Sequence, residues 1–494
     1  MTELQLPWLE MALVLPLLGA LLAAFSRSAD KTRLIAIVSS GLSLLFSLGA
    51  WQDFSSMSVF EAHDHWDIIT SWLGPDALVI DELNAPLLPL VSLMFFLTSL
   101  STLKTKVKRF PFALNLVLEF LVLATLACRQ PWGIILLIAL QCIPVYLELV
   151  QRGKSTRIFV IHMGLSTVML VAGWAMIDAE GVRESHSAFA IGLITVAVLI
   201  RSGCVPVHCW LTDLFEKATL GTAMLYVTPM IGAYAAVRMV LPVAPDWALR
   251  VIALVSLFTS VYSAGMALVQ TETRRFFCYL LLSNMSLVLV GLEIVSAIGL
   301  TGALCAWLSV GLTLTGFGLT LRAIESRQGR LSLRDFHGLY NSMPLLGTFF
   351  LITGLASVGF PGTVGFVGIE LLVEGATNVY PAVGIFVVIA TALNGIAVMH
   401  TYFRLFTGTE HTSTFSLGAR LPERISVLIL TVLIIGGGLI PQPGVASRYH
   451  AAKEIMLRRR GVQADHDGVP VHASLPETND KASLNSIEKR KENE

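Results

Sequence analysis

Polar segments cut this chain of 494 residues into roughly 14 apolar runs, each near the ~20 residues that a helix needs to cross a bilayer. The runs lie near 7–25, 33–51, 83–102, 110–128, 131–150, 156–178, 187–207, 220–242, 247–269, 276–296, 298–321, 342–376, 383–406 and 424–441. In lipid the backbone must satisfy its own N–H and C=O groups within each segment, so runs of this length read as helices. Hydrophobic residues make up 54% of the chain and charged residues 14%, with a mean hydropathy of +0.72. A soluble protein with so little charge would have to hide most of its surface. Basic and acidic residues balance at 34 each, which leaves no electrostatic case for a nucleic-acid partner. The first run has neither a basic leader nor a small-residue cleavage site and reads as a retained span.

Loop charge gives an expected orientation. Basic residues gather at 103–109 (Lys104, Lys106, Lys108, Arg109), at 151–157 (Arg152, Lys154, Arg157), at Arg274 and Arg275, and at 322–334 (Arg322, Arg327, Arg330, Arg334). The 52–82 loop carries Asp53, Glu61, Asp64, Asp67, Asp76, Asp81 and Glu82 without a Lys or Arg. This alternation puts the basic loops in the cytoplasm and the N-terminus outside, in a bacterial-type inner membrane. An even number of spans returns the C-terminus to the outside, whereas Arg458, Arg459 and Arg460 beyond the last run argue for the other side. From about 450 the sequence turns polar and reads as a tail without a core.

Two runs are interrupted. In LIRSGCVPVHCW (Leu199 to Trp210), Arg201 stands deep in an apolar run, Pro206 breaks that run, and His208 follows. A charge at bilayer depth costs at least about 2.5–3.5 kcal/mol, so it faces a partner or a watery cavity. Two readings are open: an ion path, or an arginine that ties two helices through a buried carboxylate. The run 342–376 is broken by Pro361 and Gly362, because proline removes a backbone donor and clashes with the preceding turn. Each broken run is fourth in a set of five, which suggests inverted repeats of spans 4–8 and 9–13 with ion sites beside the breaks. The expected organisation is an N-terminal three-helix segment (1–109), two five-helix repeats (110–242 and 247–406), a C-terminal helix (407–449) and a tail (450–494).

Cys128, Cys142, Cys204, Cys209, Cys278 and Cys305 fall singly in apolar segments, without metal-ligand spacing. No glycine-rich nucleotide loop is present either. The chain is expected to carry no metal, cofactor or covalent nucleophile of its own, and to supply membrane work to any enzyme it belongs to.

Several motifs together carry a family resemblance: QTETRRFFCYLLLSNMSLVLVGL (Gln270 to Leu292), VPVHCWLTD (Val205 to Asp213), MIGAYAAVR (Met230 to Arg238) and DFHGLYNSMPLLGTFFLITGLASVGFPGTVGFVGIE (335–370). Over about 100–410 the chain resembles the antiporter-like membrane subunits of proton-pumping NADH-quinone oxidoreductase (complex I), of the chain M or mitochondrial subunit 4 type. Related subunits occur in cation/proton antiporters, membrane-bound hydrogenases and inorganic-carbon uptake complexes. The resemblance implies a fold of 14 helices with helices 7 and 12 broken. It also implies a proton route along a central axis of lysines, histidines and glutamates, with other membrane subunits as partners and redox subunits acting from a distance.

The departures from that pattern bear on mechanism. Ala139 stands where the family has a glutamate on helix 5, and Arg201 replaces the helix 7 lysine. Met230 replaces a helix 8 lysine, while Asn284 and Val310 replace histidines. The glutamate expected after Gly368 is Ile369, and Glu370 comes one place late, about 100° round the helix. A buried lysine beside a glutamate can be poised to load and unload a proton. Arginine keeps its proton at any working pH, so Arg201 can be a fixed counter-charge or an anion contact and scarcely a carrier. The usual relay therefore reads as degraded.

The remaining candidates for an ion path are Glu119, His208, Asp213, Glu293, Glu370 and His400, each with a plain structural alternative. Glu119 sits deep in a span and falls where the family has an acid. Either Glu119 or Glu148 could partner Arg201. Glu370 and Glu374 share a helix face at i,i+4: either they form a carboxylate relay, or Glu374 simply reaches the outer surface. His400 can titrate near neutrality or simply pack beside Arg404, and His162 reads as structural. Two functions follow: a proton-translocating module driven by redox chemistry in partner subunits, or a non-pumping scaffold in an antiporter, hydrogenase or carbon-uptake assembly.

Overall fold

A computed structural model describes residues 3–57, 59–64, 77–177, 186–294, 296–408 and 418–459. Apart from a two-residue antiparallel pairing of Glu61–Ala62 (β1) with Ile80–Asp81 (β2) and two isolated bridges, the regular structure of the described residues is helical. The helices are α1 (Trp8–Phe25), α2 (Ala29–Met57), α3 (Leu87–Ser101), α4 (Phe112–Ala127), α5 (Pro131–Gln151), α6 (Arg157–Ala175), α7 (Ala188–Ser202), α8 (Cys209–Lys217), α9 (Leu220–Val227) and α10 (Ile231–Ala235). There follow α11 (Asp246–Val269), α12 (Thr273–Glu293), α13 (Ala297–Gln328), α14 (Pro344–Ser357), α15 (Val364–Val379), α16 (Pro381–Phe406), α17 (Leu421–Leu439) and α18 (Gln442–Arg459). Among the described residues, 10 helical stretches are long and apolar enough to cross a membrane, and four shorter apolar helices accompany them. The protein is a multi-pass, all-helical membrane protein.

Burial sorts the helices into layers. The α9–α10 stretch and α12 lie almost wholly inside the bundle. Outer helices instead present large apolar side chains to their surroundings, such as Leu22 and Phe25 on α1, Leu45 on α2, Val168 on α6 and Val432 on α17. A surface of that kind is stable only against lipid or another apolar protein face. Helix α13 is 32 residues long, or about 48 Å at 1.5 Å per residue, well beyond the ~30 Å hydrocarbon thickness. Its last turns, with Arg322 and Arg327, reach past the apolar layer.

Helices α13 and α15 touch at backbone distance. A Cβ on Gly375 would come within 2.4 Å of Gly299, and one on Gly368 within 2.7 Å of Ala306. Small residues at such a seam allow dispersion contacts that larger side chains would prevent.

Charged side chains tie the loops together at both ends of the bundle. At one end the basic loops are tied together: Arg274 pairs with Glu325, Arg275 with Glu216 at 2.7 Å, and Arg327 with Glu423 at 2.6 Å. At the other end the acidic residues of the 52–82 loop anchor helix starts. Asp64 accepts from the backbone N–H of Leu9 and Glu10, where the exposed donors and dipole of a helix start favour a carboxylate. Asp53 accepts from Gln5 N–H and the Trp8 indole. Asp67 and Asp76 lie outside the described residues.

Residues 450–459, expected to open a polar tail, are instead helical. Residues up to Arg459 form α18, which packs its small residues Ala451 and Ala452 onto the protein. Its arginines are consumed in holding it there. Arg448 donates to the carbonyls of Leu83 and Glu82. Arg458 bonds Glu61 at 2.9 Å, and Arg459 bonds Asp246 and the Leu241 carbonyl, both at 2.7 Å. This end also carries the N-terminal segment, where Leu4 N–H donates to the His63 carbonyl. Arg458 and Arg459 therefore act as staples, which removes their weight as an orientation signal. Arg460 lies outside the described residues.

Candidate functional site

The site is built around the gap between α7 and α8. Helix α7 ends at Gly203, whose φ of 72° takes the left-handed cap conformation that glycine adopts without strain. The irregular stretch that follows is satisfied by protein. Cys204 N–H donates to Leu199 O, Val205 N–H to Thr259 Oγ1, and the Trp210 indole to Ile200 O. Broken backbone at membrane depth is tolerated under just these conditions. The second break, between α14 and α15, turns on Gly359 and Gly362, both at positive φ, with Pro361 exposed.

Arg201 occupies the last turn of α7 and is buried. Neither Glu119 nor Glu148 partners it, contrary to expectation. One guanidinium nitrogen donates to Gln141 Oε1 at 3.1 Å, and another faces the Met163 sulfur at 3.8 Å. The guanidinium carbon lies 4.3 Å from the centre of the Tyr226 ring. Tyr226 in turn donates to Met163 Sδ at 3.2 Å. Among the described residues Arg201 has no ion pair, and its Nε has no hydrogen-bond partner. The cation is thus housed by an amide, a thioether and a π face. Cation–π attraction in a desolvated setting is worth about 2 kcal/mol, which offsets part of the cost of burial.

The two acids are held elsewhere for a geometric reason. Ser40 donates to Glu119 Oε2 at 2.5 Å, across the contact between α2 and α4. The other carboxylate oxygen is buried and has no partner among the described residues. Glu148 accepts from Thr219 N–H at 2.7 Å, at the start of α9.

The other candidates do not gather into one chain of groups. His208 starts α8, half-buried between the rings of Tyr262 and Tyr279, at 5.7 and 6.1 Å. Asp213 pairs with Lys217 one turn on, at 2.7 Å. Glu370 and Glu374 do share a face of α15, but Gly368 and Gly375 turn the opposite face to α13, so both acids are exposed on the outside of the bundle. His400 accepts from Arg404 Nε at 3.3 Å, with Arg404 stacked on Phe336 at 4.5 Å. His162 bonds Ile158 O of its own helix. The side chain of Glu293 lies outside the described residues.

Sequence reasoning passed over several groups. Gln141 is a polar residue inside an apolar run, and that signal was available. A third interruption separates α9 from α10, where Pro229 precedes Met230 at a φ of 57° and the Trp307 indole caps the Pro229 carbonyl at 3.3 Å. Pro229 was its only mark. Ser260, Ser283 and Asn394 form a buried polar node, with Asn394 Nδ2 donating to Ser283 at 2.8 Å. At the acidic end, Arg238 meets Asp81 at 2.6 Å, both nearly sealed from solvent. Burial alone would raise the Asp81 carboxyl, but the charges of Arg238 and Arg458 outweigh it and hold it below the usual carboxylate range.

Comparison with known proteins places this geometry. The sequence profile of the NADH:quinone oxidoreductase/Mrp antiporter transmembrane family matches residues 157–394. NADH-quinone oxidoreductase subunit M of Rickettsia bellii is 26% identical, across 92% of this chain and 99% of that one. Among solved structures, a chain of respiratory complex I from Thermus thermophilus superposes with a TM-score of 0.78 at 20% identity, covering 91% of this chain and 99% of that one. A chain of the Mrp complex from Dietzia sp. superposes with a TM-score of 0.79 at 19% identity, covering 91% and 97%.

Proposed function

We propose that the chain is an antiporter-like membrane subunit of the NADH:quinone oxidoreductase/Mrp antiporter transmembrane family, a reading that the match to residues 157–394 and the subunit M relatives support, and that it is a membrane module of a complex I-type respiratory assembly. Quinone reduction in partner subunits drives proton movement through the membrane arm, and this module holds a permanent charge where a titrating one is usual. The observation that carries this reading is the neutral housing of Arg201 by Gln141, Met163 and Tyr226. A guanidinium with no carboxylate beside it has nothing to exchange a proton with, and it does not release its own. Proton exchange within the chain then falls to the buried acids that keep an oxygen without a hydrogen bond among the described residues, Glu119 and Glu148, and first to Glu119, which sits deep in a span where the family has an acid.

The module sits in a bacterial-type inner membrane with the basic loops in the cytoplasm and the N-terminus outside, crossing it 14 times as three N-terminal spans, two inverted five-helix sets and a C-terminal span. Its partners are other membrane subunits, with the redox subunits acting through them. Glu370 and Glu374 mark one partner face. A carboxylate turned to lipid at depth costs about 2.5–3.5 kcal/mol, and a neighbouring subunit that covers it removes that cost.

The missing carboxylate also favours a second reading, a non-pumping subunit of an antiporter or carbon-uptake complex. Purifying the chain from its own membranes and identifying what accompanies it separates the two. Peripheral NADH and quinone subunits support the first, and a lone large soluble zinc protein supports the second.

A further inference from the structure

At the basic end a cavity of about 290 Å³ opens between α3, α5, α9, α12 and α13. Its wall includes Lys106, Arg109, Arg152, Arg274, Arg322 and Arg330. The two acids that also line it are already engaged. Glu325 holds Arg274, and Glu423 holds Arg327 through both oxygens and accepts from Arg420 N–H. Arg322 is aimed by its surroundings: it stacks on Phe110 at 4.6 Å and donates to Thr98 O and Thr102 Oγ1. Arg152 and Arg330 donate to the neutral carbonyls of Lys217 and Glu216. Among the described residues the side chains of Lys106 and Arg109 make no hydrogen bond or ion pair. Five cations (Lys106, Arg109, Arg152, Arg322 and Arg330) thus line one cavity with no carboxylate bonded to their side chains among the described residues.

We propose that this cavity binds a phosphate group. Five like charges repel one another across a shared space, and a polyanion relieves that repulsion. Guanidinium forks match phosphate oxygens in pairs, and several converging cations suit a phosphate better than a single carboxylate. One water occupies about 30 Å³ of liquid, so the space holds a phosphate group with several waters. A basic pocket between membrane helices on the cytoplasmic side is also where acidic lipid headgroups are held. The phosphate comes either from such a headgroup or from a soluble compound. Once bound, it ties the 3-10 turn Lys104–Arg109 to the end of α13.

Hydrogen exchange of residues 101–110 and 322–330 tests this on the full chain, purified with its accompanying subunits. One arm titrates inorganic phosphate against chloride at matched ionic strength. The other compares vesicles of phosphatidylcholine with vesicles that also contain phosphatidylglycerol. Slowed exchange with inorganic phosphate assigns the site to a soluble phosphate; slowed exchange with phosphatidylglycerol alone assigns it to a headgroup. The double variant Lys106→Gln/Arg109→Gln removes charge without breaking a bond to protein, and it should weaken the effect about tenfold. Protection by neither probe, or equal protection in the variant, overturns the proposal.

Discussion

The guanidinium of Arg201 lies 4.3 Å from the centre of the Tyr226 ring, and its hydrogen bonds go to Gln141 and Met163. The charge in the last turn of α7 is therefore balanced by polarisable neutral groups. Burying a cation this way gives little net stability, because desolvation cancels most of what the π face and the amide return.

Stability should therefore follow volume more than charge at this position. Arg201→Met fills the same space without a cation and is expected to stay within about 1 kcal/mol of the parent, whereas Arg201→Ala opens a cavity and costs about 2–4 kcal/mol. Thermal unfolding in one detergent compares them. Equal damage from both variants would show that the charge itself holds the helices.

Asp81 and Arg238 join β2 to the helix end 157 residues away. Breaking one partner of a buried pair leaves the other uncompensated, so Arg238→Leu should cost about 3–5 kcal/mol. Adding Asp81→Asn should restore part of that loss. A double-mutant cycle without coupling would remove this pair from the account.

Glu454 on α18 has its carboxyl pushed up to about 7 by burial and by the charge of Asp81, against the pull of Arg458. A raised carboxyl favours the folded state fully below its ordinary value of 4.5 and loses that contribution as the pH rises through about 7. Glu454→Gln should then match the parent in acid and become the more stable of the two toward pH 8. Unfolding midpoints across that range measure it, and a gap that does not widen with pH contradicts it.

Glu370 and Glu374 stand on the exposed face of α15. A photo-crosslinker at position 370 should capture another membrane subunit in the assembled complex. Crosslinks to lipid alone would leave that face without a protein partner.

The helices and the proline breaks were legible because apolar runs and prolines leave marks in the chain itself. Arg201 was legible for the same reason, as a charge where lipid allows none. Its surroundings were not, since Gln141, Met163 and Tyr226 come from three other helices and carry no charge. Glu370 illustrates a finer limit. Spacing fixed that it shares a face with Glu374, but only the glycine seam against α13 decides which way that face looks. Helix α18 was missed because it is polar: it is held by Arg448, Arg458 and Arg459 bonding distant groups, and no apolar run announces it.

Proton movement in sealed vesicles carrying the assembled complex tests the central claim, that Arg201 is a fixed charge and Glu119 the exchanging group. With assembly matched by subunit content, Arg201→Met should keep proton transfer per electron within about twofold of the parent, and Glu119→Gln should lower it about tenfold or more. Transfer abolished by Arg201→Met in a fully assembled complex, with Glu119→Gln unaffected, would contradict the account.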